Sequence, residues 1–317
     1  MDGHTVPGRL PRSVIVEGPT FFQSAILMDT LVRIEVPSGT MEASGPTVAR
    51  AFQWFQEVEE VCSRFEESSE VMELVRHPGV PQVVSPLLFE AVRFALRVAE
   101  ASGGAFDPTV GHTLEQRGFN RNYRTGERVS TEIDTDRSVS YRDIHLDLDS
   151  RAITLREPLI IDLGAVAKGL AIDLAARELR PLGNFAINAG GDIYVGGSNL
   201  RGEPWRVGIR HPRRDGELLT SVQISDRAVC TSGDYERAVD GENHLVDPRT
   251  ATSASAVCSV TVIAPTAMAA DALGTAAFVL GLDAGVQFLR RQGAQGLLVS
   301  DSLVQRSTPG FRRYQVQ

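Results

Sequence analysis

"LIIDLGAVAKGLAIDLAARELRPLGNFAINAGGDIYVGG", residues 159–197, decides the fold class. An apolar "LII" runs into Asp162 and Gly164, and then Val166, Leu170 and Leu174 recur at i, i+4 and i+8, the spacing of one helix face. The helix, over 164–180, gives way to "FAINAGGDIYVGG" (185–197), two short strands around a glycine turn. A strand followed by a strand, with no second helix between them, is not a βαβ repeat. It predicts an α+β chain with mainly antiparallel sheets flanked by helices.

The neighbouring text agrees. "IHLDLD" (144–149) and "AITL" (152–155) read as a strand pair, and 205–211, 218–224 and 256–264 as further strands. Helices are expected over 266–280 and 283–292, and a closing hairpin over 295–300 and 303–307. Upstream, "SAILMDTLVRIEV" (24–36) alternates as a strand, while 46–65 and 86–101 carry helical spacing, the latter stopped by Gly103-Gly104. Residues 111–142 are polar, arginine-rich and weakly periodic, and read as a surface excursion. Residues 1–20 read as a flexible arm, and 21–317 as one domain of two lobes.

Composition narrows the function. With 317 residues, 42% of them hydrophobic, the chain can bury a large core. Its net charge of −8 argues against a general nucleic-acid surface, which needs a basic stripe. A phosphate ligand must then be held locally. Cys62, Cys230 and Cys258 are odd in number and far apart, suggesting neither a disulfide framework nor a zinc knuckle. No signal-peptide run stands in the first thirty residues and no stretch has the ~20 apolar residues of a membrane span, so a cytoplasmic location is expected.

Lys168 is the one lysine among 32 Lys plus Arg, which leaves 31 arginines. An ammonium is a compact point charge where a guanidinium is a broad fork, so a tight ligand contact is one reason to keep it. Asp162, just before the helix, reads equally as a cap. Asp271 and Thr275 lie one helical turn apart in "MAADALGTAAFVLG" (268–281), a pairing that suits a hard cation such as magnesium and is also ordinary in helices. "NAGGDI" (188–193) lets backbone approach a phosphate or simply turns a hairpin. In "GGAFDP" (103–108) an exposed-looking Phe106 beside Asp107 would suit the edge of an aromatic ligand. His244, in a polar island between strands, is either a proton acceptor or a structural histidine. The segment 231–237 is a second such island. No G-x-S-x-G marks a serine hydrolase.

In order along the chain, "MDT" (28–30), "SRF" (63–65), "GGAFDPTVG" (103–111), "DLGAVAKG" (162–169), "NAGGDI" (188–193), "TSGDY" (231–235), "HLVDPRT" (244–250) and "SVTVIAPTAMAADALGT" (259–275) resemble the ApbE-type FAD:protein FMN transferase family. The ordered set is specific although each piece alone is weak. The resemblance implies a magnesium-dependent enzyme that splits the FAD pyrophosphate, joins FMN by a phosphoester to a threonine or serine of an acceptor protein, and releases AMP. By position, Met28, Phe65, Ala105, Phe106, Asp107, Asp162, Lys168 and Val246 would surround FAD. The Ala165 carbonyl, Asp271 and Thr275 would hold magnesium, and His244 would be the base, with Lys168 and Asp271 completing the catalytic set.

Four positions depart from the family's common pattern. Asp29 and Ala251 stand where glycine is usual, Phe65 where some members have tyrosine, and Gly274 where some offer a further carboxylate. Two other readings stay open: an FAD pyrophosphatase that uses water in place of the acceptor, and a flavin-binding protein without turnover.

Overall fold

A computed structural model of the chain describes residues 20–131, 133, 139–235, 238, 239, 242–254 and 256–316. The expected arm lies outside these residues but for Thr20. The framework is an eight-stranded sheet in which every neighbouring pair is antiparallel. Its strands lie side by side in chain order: Thr20–Leu27, Thr30–Pro37, Phe185–Ala189, Asp192–Gly196, Arg227–Gly233, Val257–Ala264, Gln295–Ser300 and Gln305–Ser307. The α+β expectation holds, with the helices inserted between consecutive strands.

In the five central strands, from Phe185–Ala189 to Gln295–Ser300, period-2 alternation sends side chains to two different cores. Ile187, Tyr194, Ala228, Cys230, Val260, Val262 and Leu298 face the helical layer. Their neighbours Ala186, Ile193, Val195, Val229, Ile263 and Leu297 face the other way, onto a hairpin formed by Trp205–Arg210 and Leu218–Ile224 and onto Phe311. Trp205 is buried there and donates its indole N–H to the Gly196 carbonyl (3.1 Å), which satisfies the polar end of an otherwise apolar side chain.

The helical layer contains α1 (Met41–Cys62), α2 (Glu70–Arg76), α3 (Pro86–Ser102), α4 (Gly111–Gln116), α5 (Gly164–Leu179), α6 (Ala267–Leu280) and α7 (Leu282–Arg291). Helix α5 packs against α1, α3, α6 and the sheet. Accordingly its Val166, Ile172 and Ala175 are fully buried; the valine and isoleucine side chains so removed from water contribute about 1.5–3 kcal/mol each, the alanine methyl about 0.8 kcal/mol. A three-stranded antiparallel sheet of Gln82–Val83, Ala152–Leu155 and Ile144–Asp147 lies apart from the main one.

Several elements differ from expectation. Residues 24–36 are not one strand: Met28 and Asp29 both take left-handed backbone (φ 50° and 59°) in a two-residue hairpin turn. Such a turn matches the twist of the flanking strands and tolerates Asp, which explains why this chain manages without the glycine usual at 29. Thr231–Gly233 belong to a central strand rather than a polar island, because Thr231 and Ser232 pair across to Thr261 and Val260. The excursion at 111–142 contains α4, and α2 was not foreseen although Ser69 caps it at the Met72 N–H (3.3 Å).

Candidate active site

Helices α5 and α6 approach each other at Gly169. A Cβ there would stand 2.5 Å from the Met268 nitrogen and 2.7 Å from the Ala267 carbonyl carbon, so only glycine permits this spacing. One turn further along α5, Asp173 accepts the Ala267 and Met268 N–H groups at 2.7 and 3.0 Å, covering two of the orphan donors that open α6. Burial pushes its carboxyl up to about 6, against the lowering effect of those two bonds. The two helices are therefore fixed in register, and the face of α5 that carries Ala165, Lys168 and Gly169 looks toward the face of α6 that carries Asp271 and Thr275.

On that seam the Lys168 ammonium touches Asp192 Oδ2 and lies 3.7 Å from Asp271 Oδ2. The lysine side chain is 24% exposed, the two carboxylates 4% and 10%. Asp192 opens its strand just after Gly190 and Gly191, both at positive φ, and its Oδ1 accepts the Thr231 N–H at 3.3 Å. Behind the cluster lies Cys230, whose thiol is pushed well above its ordinary value by burial and by the charges of Asp192 and Asp271. It is a neutral wall, not a nucleophile.

Asp162 does two jobs at the other end of α5. Its Oδ1 accepts the Gly164 N–H (2.8 Å) and its Oδ2 accepts Arg64 Nε (2.6 Å). Arg64 is 4% exposed, donates also to the Phe119 carbonyl, stands 3.8 Å from Glu115 and lies 4.2 Å from the centroid of the Phe65 ring. Asp162 is thus not the N-cap, which is Leu163, but holds the first N–H of α5 from the position before it, and the same carboxylate ties α5 to the segment that presents Phe65. The Phe65 carbonyl accepts Asn122 Nδ2 (3.2 Å), and Arg124 reaches Glu59, which in turn accepts the Met28 N–H (3.3 Å). A continuous set of contacts therefore joins Met28, Phe65 and Asp162.

The loop after α3 joins the same set through the Asp162 N–H, which donates to the Pro108 carbonyl (2.7 Å). Within it Ala105 is buried and so is Phe106, at 5% exposure, against the expectation of an exposed ring. Its N–H is held by Ser102 Oγ and its ring joins the main core, so hydrophobic burial overrides the turn position. Asp107 accepts bonds from Thr109 and from the Tyr141 N–H, and burial holds its carboxyl above the ordinary value.

His244 stands edge-on to Phe119, ring centroids 6.4 Å apart, and is followed by buried Leu245 and Val246. Val246–Asp247 pairs with Thr252–Ser253, and Arg117 anchors this flap by donating to Ser253 Oγ (2.7 Å) and the Ala251 carbonyl (2.6 Å). Ala251 has φ 54°, which accounts for the usual glycine there. Phe119 connects the two halves, its ring beside His244 and its carbonyl on Arg64. Gly274 faces the sheet, where a Cβ would lie 3.2 Å from Ser232 Oγ.

Arg64, Asp173, Asp192 and Cys230 were not singled out in sequence. Arg64 and Asp192 sit inside the quoted "SRF" and "NAGGDI" pieces, but nothing in those pieces sets either residue apart from its neighbours. Among the described residues no group of three or more His, Cys, Asp or Glu clusters as metal ligands. Among them, too, no helix is long and apolar enough to cross a membrane.

An antiparallel α+β chain in which a lysine on one helix meets an aspartate of the next helix and an aspartate of the sheet has known relatives. A sequence model of the ApbE family matches residues 28–298, and the chain belongs to that family. The FAD:protein FMN transferase of Treponema pallidum is 30% identical over 321 aligned positions, covering 92% of this chain and 87% of its own. That of Haemophilus influenzae is 29% identical over 269 residues, 79% of this chain and 75% of its own. Among solved structures, the ApbE protein of Thermotoga maritima superposes with a TM-score of 0.83 at 30% identity, covering 94% of this chain and all of that one (100%). The flavin transferase ApbE of Vibrio cholerae gives 0.80 at 26% identity, with 93% and 99% covered.

Proposed function

We propose that this protein is an FAD:protein FMN transferase: it cleaves FAD and attaches FMN through a phosphoester to a threonine or serine of an acceptor protein, releasing AMP. The observation that carries the reading is the convergence of Lys168, Asp192 and Asp271 on the α5–α6 seam of an ApbE-family chain. An acidic protein must hold a pyrophosphate with local charge, and the lone ammonium provides it.

Magnesium fits the residues present. Asp192, Asp271 and Lys168 together sum to one negative charge in a poorly solvated place, which favours a further cation, and the remaining candidate donors are oxygens. Asp271, Thr275 and the Ala165 carbonyl would hold it. When bound, the ion polarises the phosphoryl group and eases departure of AMP.

The chain's own residues do the rest. Met28, Phe65, Ala105, Phe106, Asp107 and Val246 form the surroundings of the flavin nucleotide, Asp162 fixing the Phe65 segment through Arg64. Lys168 neutralises phosphate charge and so admits an incoming hydroxyl. An imidazole nitrogen of His244 takes the hydroxyl proton as the new P–O bond forms and the bond to AMP breaks.

The test is mass spectrometry of acceptor candidates after incubation with FAD and magnesium. An acceptor Thr or Ser that gains FMN, with matching AMP, is the expected result. AMP and free FMN with no modified acceptor would replace this reading by the pyrophosphatase, and bound FAD with no AMP by the flavin binder.

A further inference from the structure

Lys168 contacts a carboxylate on each side, and the two differ in how they are held. Asp192 opens a strand whose approach is set by the Gly190-Gly191 turn, and the Thr231 N–H pins one of its oxygens. Asp271 projects from α6, and the oxygen it turns toward Lys168 is Oδ2. The ammonium sits against Asp192 and further from Asp271. A lysine has a flexible four-carbon stem, so its head can shift between the two. A cation at Asp271 and an ammonium at the same carboxylate repel strongly when partly buried.

We propose that Asp192 is a positioning residue that draws Lys168 away from Asp271 and so sets how tightly Asp271 takes up a divalent cation. Lys168 is then an internal counter-ion: it balances both carboxylates in the cation-free chain and withdraws onto Asp192 when a cation arrives, leaving its charge beside the seam for a phosphate. This inference rests on the reading of Asp271 as a metal-holding residue. It goes further in making Lys168 a competitor for the cation and Asp192 the residue that resolves the competition.

Manganese alone, titrated into the full chain without added flavin and followed by its electron paramagnetic resonance signal, tests both. Lys168→Met is expected to bind Mn2+ about tenfold tighter although it loses FMN transfer, and Asp192→Asn about tenfold more weakly. In the Lys168→Met background, Asp192→Asn is expected to cost less than about threefold, because Asp192 acts through the lysine. Additive effects of the two changes, or no tightening in Lys168→Met, would overturn the inference while leaving the metal reading intact. Mn2+ binding unaltered by Asp271→Asn would overturn both. Thermal melts accompany each variant, and Lys168→Gln replaces Lys168→Met if the latter does not fold.

Discussion

Gly169→Ala is the most demanding perturbation of the α5–α6 seam. In an ordinary helix the change stabilises by up to about 1 kcal/mol, because alanine is the better helix former. Here the added carbon would stand 2.5 Å from the Met268 nitrogen and 2.7 Å from the Ala267 carbonyl carbon, where ordinary contact is 3.4–4 Å. Both are backbone atoms and cannot rotate aside, so the helices must part by roughly 1 Å, at an overpacking cost of about 1–3 kcal/mol. The same movement lengthens the bonds from Ala267 and Met268 to Asp173, now 2.7 and 3.0 Å, beyond useful range. Losing both adds about 3–6 kcal/mol, since each ends on a carboxylate and is worth about 1.5–3. The clash outweighs the propensity gain of up to about 1 kcal/mol, and a net loss of about 3–8 kcal/mol is expected. At roughly 2 °C per kcal/mol for a chain of this size, the melting temperature should fall by about 6 °C or more. FMN transfer should fall with it at temperatures where the variant remains folded, because Lys168 and Asp271 sit on opposite sides of the widened seam. A variant that melts at or above the wild-type temperature and keeps full transfer would refute the claim that glycine sets this spacing.

Three further outcomes are expected. Carboxyl carbon NMR should find Asp173 titrating near 6 and not near 3.8; since the folded chain then holds the proton more tightly than the unfolded one, this residue's contribution to stability falls as pH rises between those values, by about 3 kcal/mol in all, and is constant above them. Ala251→Gly should raise stability by about 1 kcal/mol in denaturant melts, because a left-handed alanine at φ 54° is strained; a loss of stability would show that the flap does not hold that turn. Arg64→Met should cost about 3 kcal/mol and weaken FAD binding, because it removes the cation paired with Asp162 Oδ2 and standing over Phe65; unchanged FAD titration by fluorescence would separate Arg64 from the flavin site.

Most of the strand and helix framework was legible because alternation and 3.6-residue spacing report directly which face is buried. The hairpin at Met28-Asp29 was hidden because Asp at positive φ leaves no glycine signal, and alternation continues straight through a two-residue turn. The strand Arg227–Gly233 was hidden in part because Thr231 spends its polar group inside the sheet, on the Thr261 hydroxyl (2.9 Å), and so reads as loop chemistry. Of the site, Lys168, Asp271 and Asp162 could be picked out from oddity and spacing. Arg64 and Asp192 could not, since an arginine among 31 and an aspartate after a glycine turn become distinctive only when folding buries them against partners far away in the chain.

The order of the sheet bears on how the molecule assembles. Thr20–Leu27 with Thr30–Pro37, and Phe185–Ala189 with Asp192–Gly196, are each joined by two residues and can zip within microseconds. The seam between those hairpins, Thr30–Pro37 against Phe185–Ala189, instead closes the whole of residues 38–184, including α1 to α5. That closure gains little until the helices have already packed on one another. In a refolding reaction followed by pulsed hydrogen exchange, the amides bridging Val32–Glu35 and Ala186–Ala189 should therefore be among the last in the sheet to gain protection.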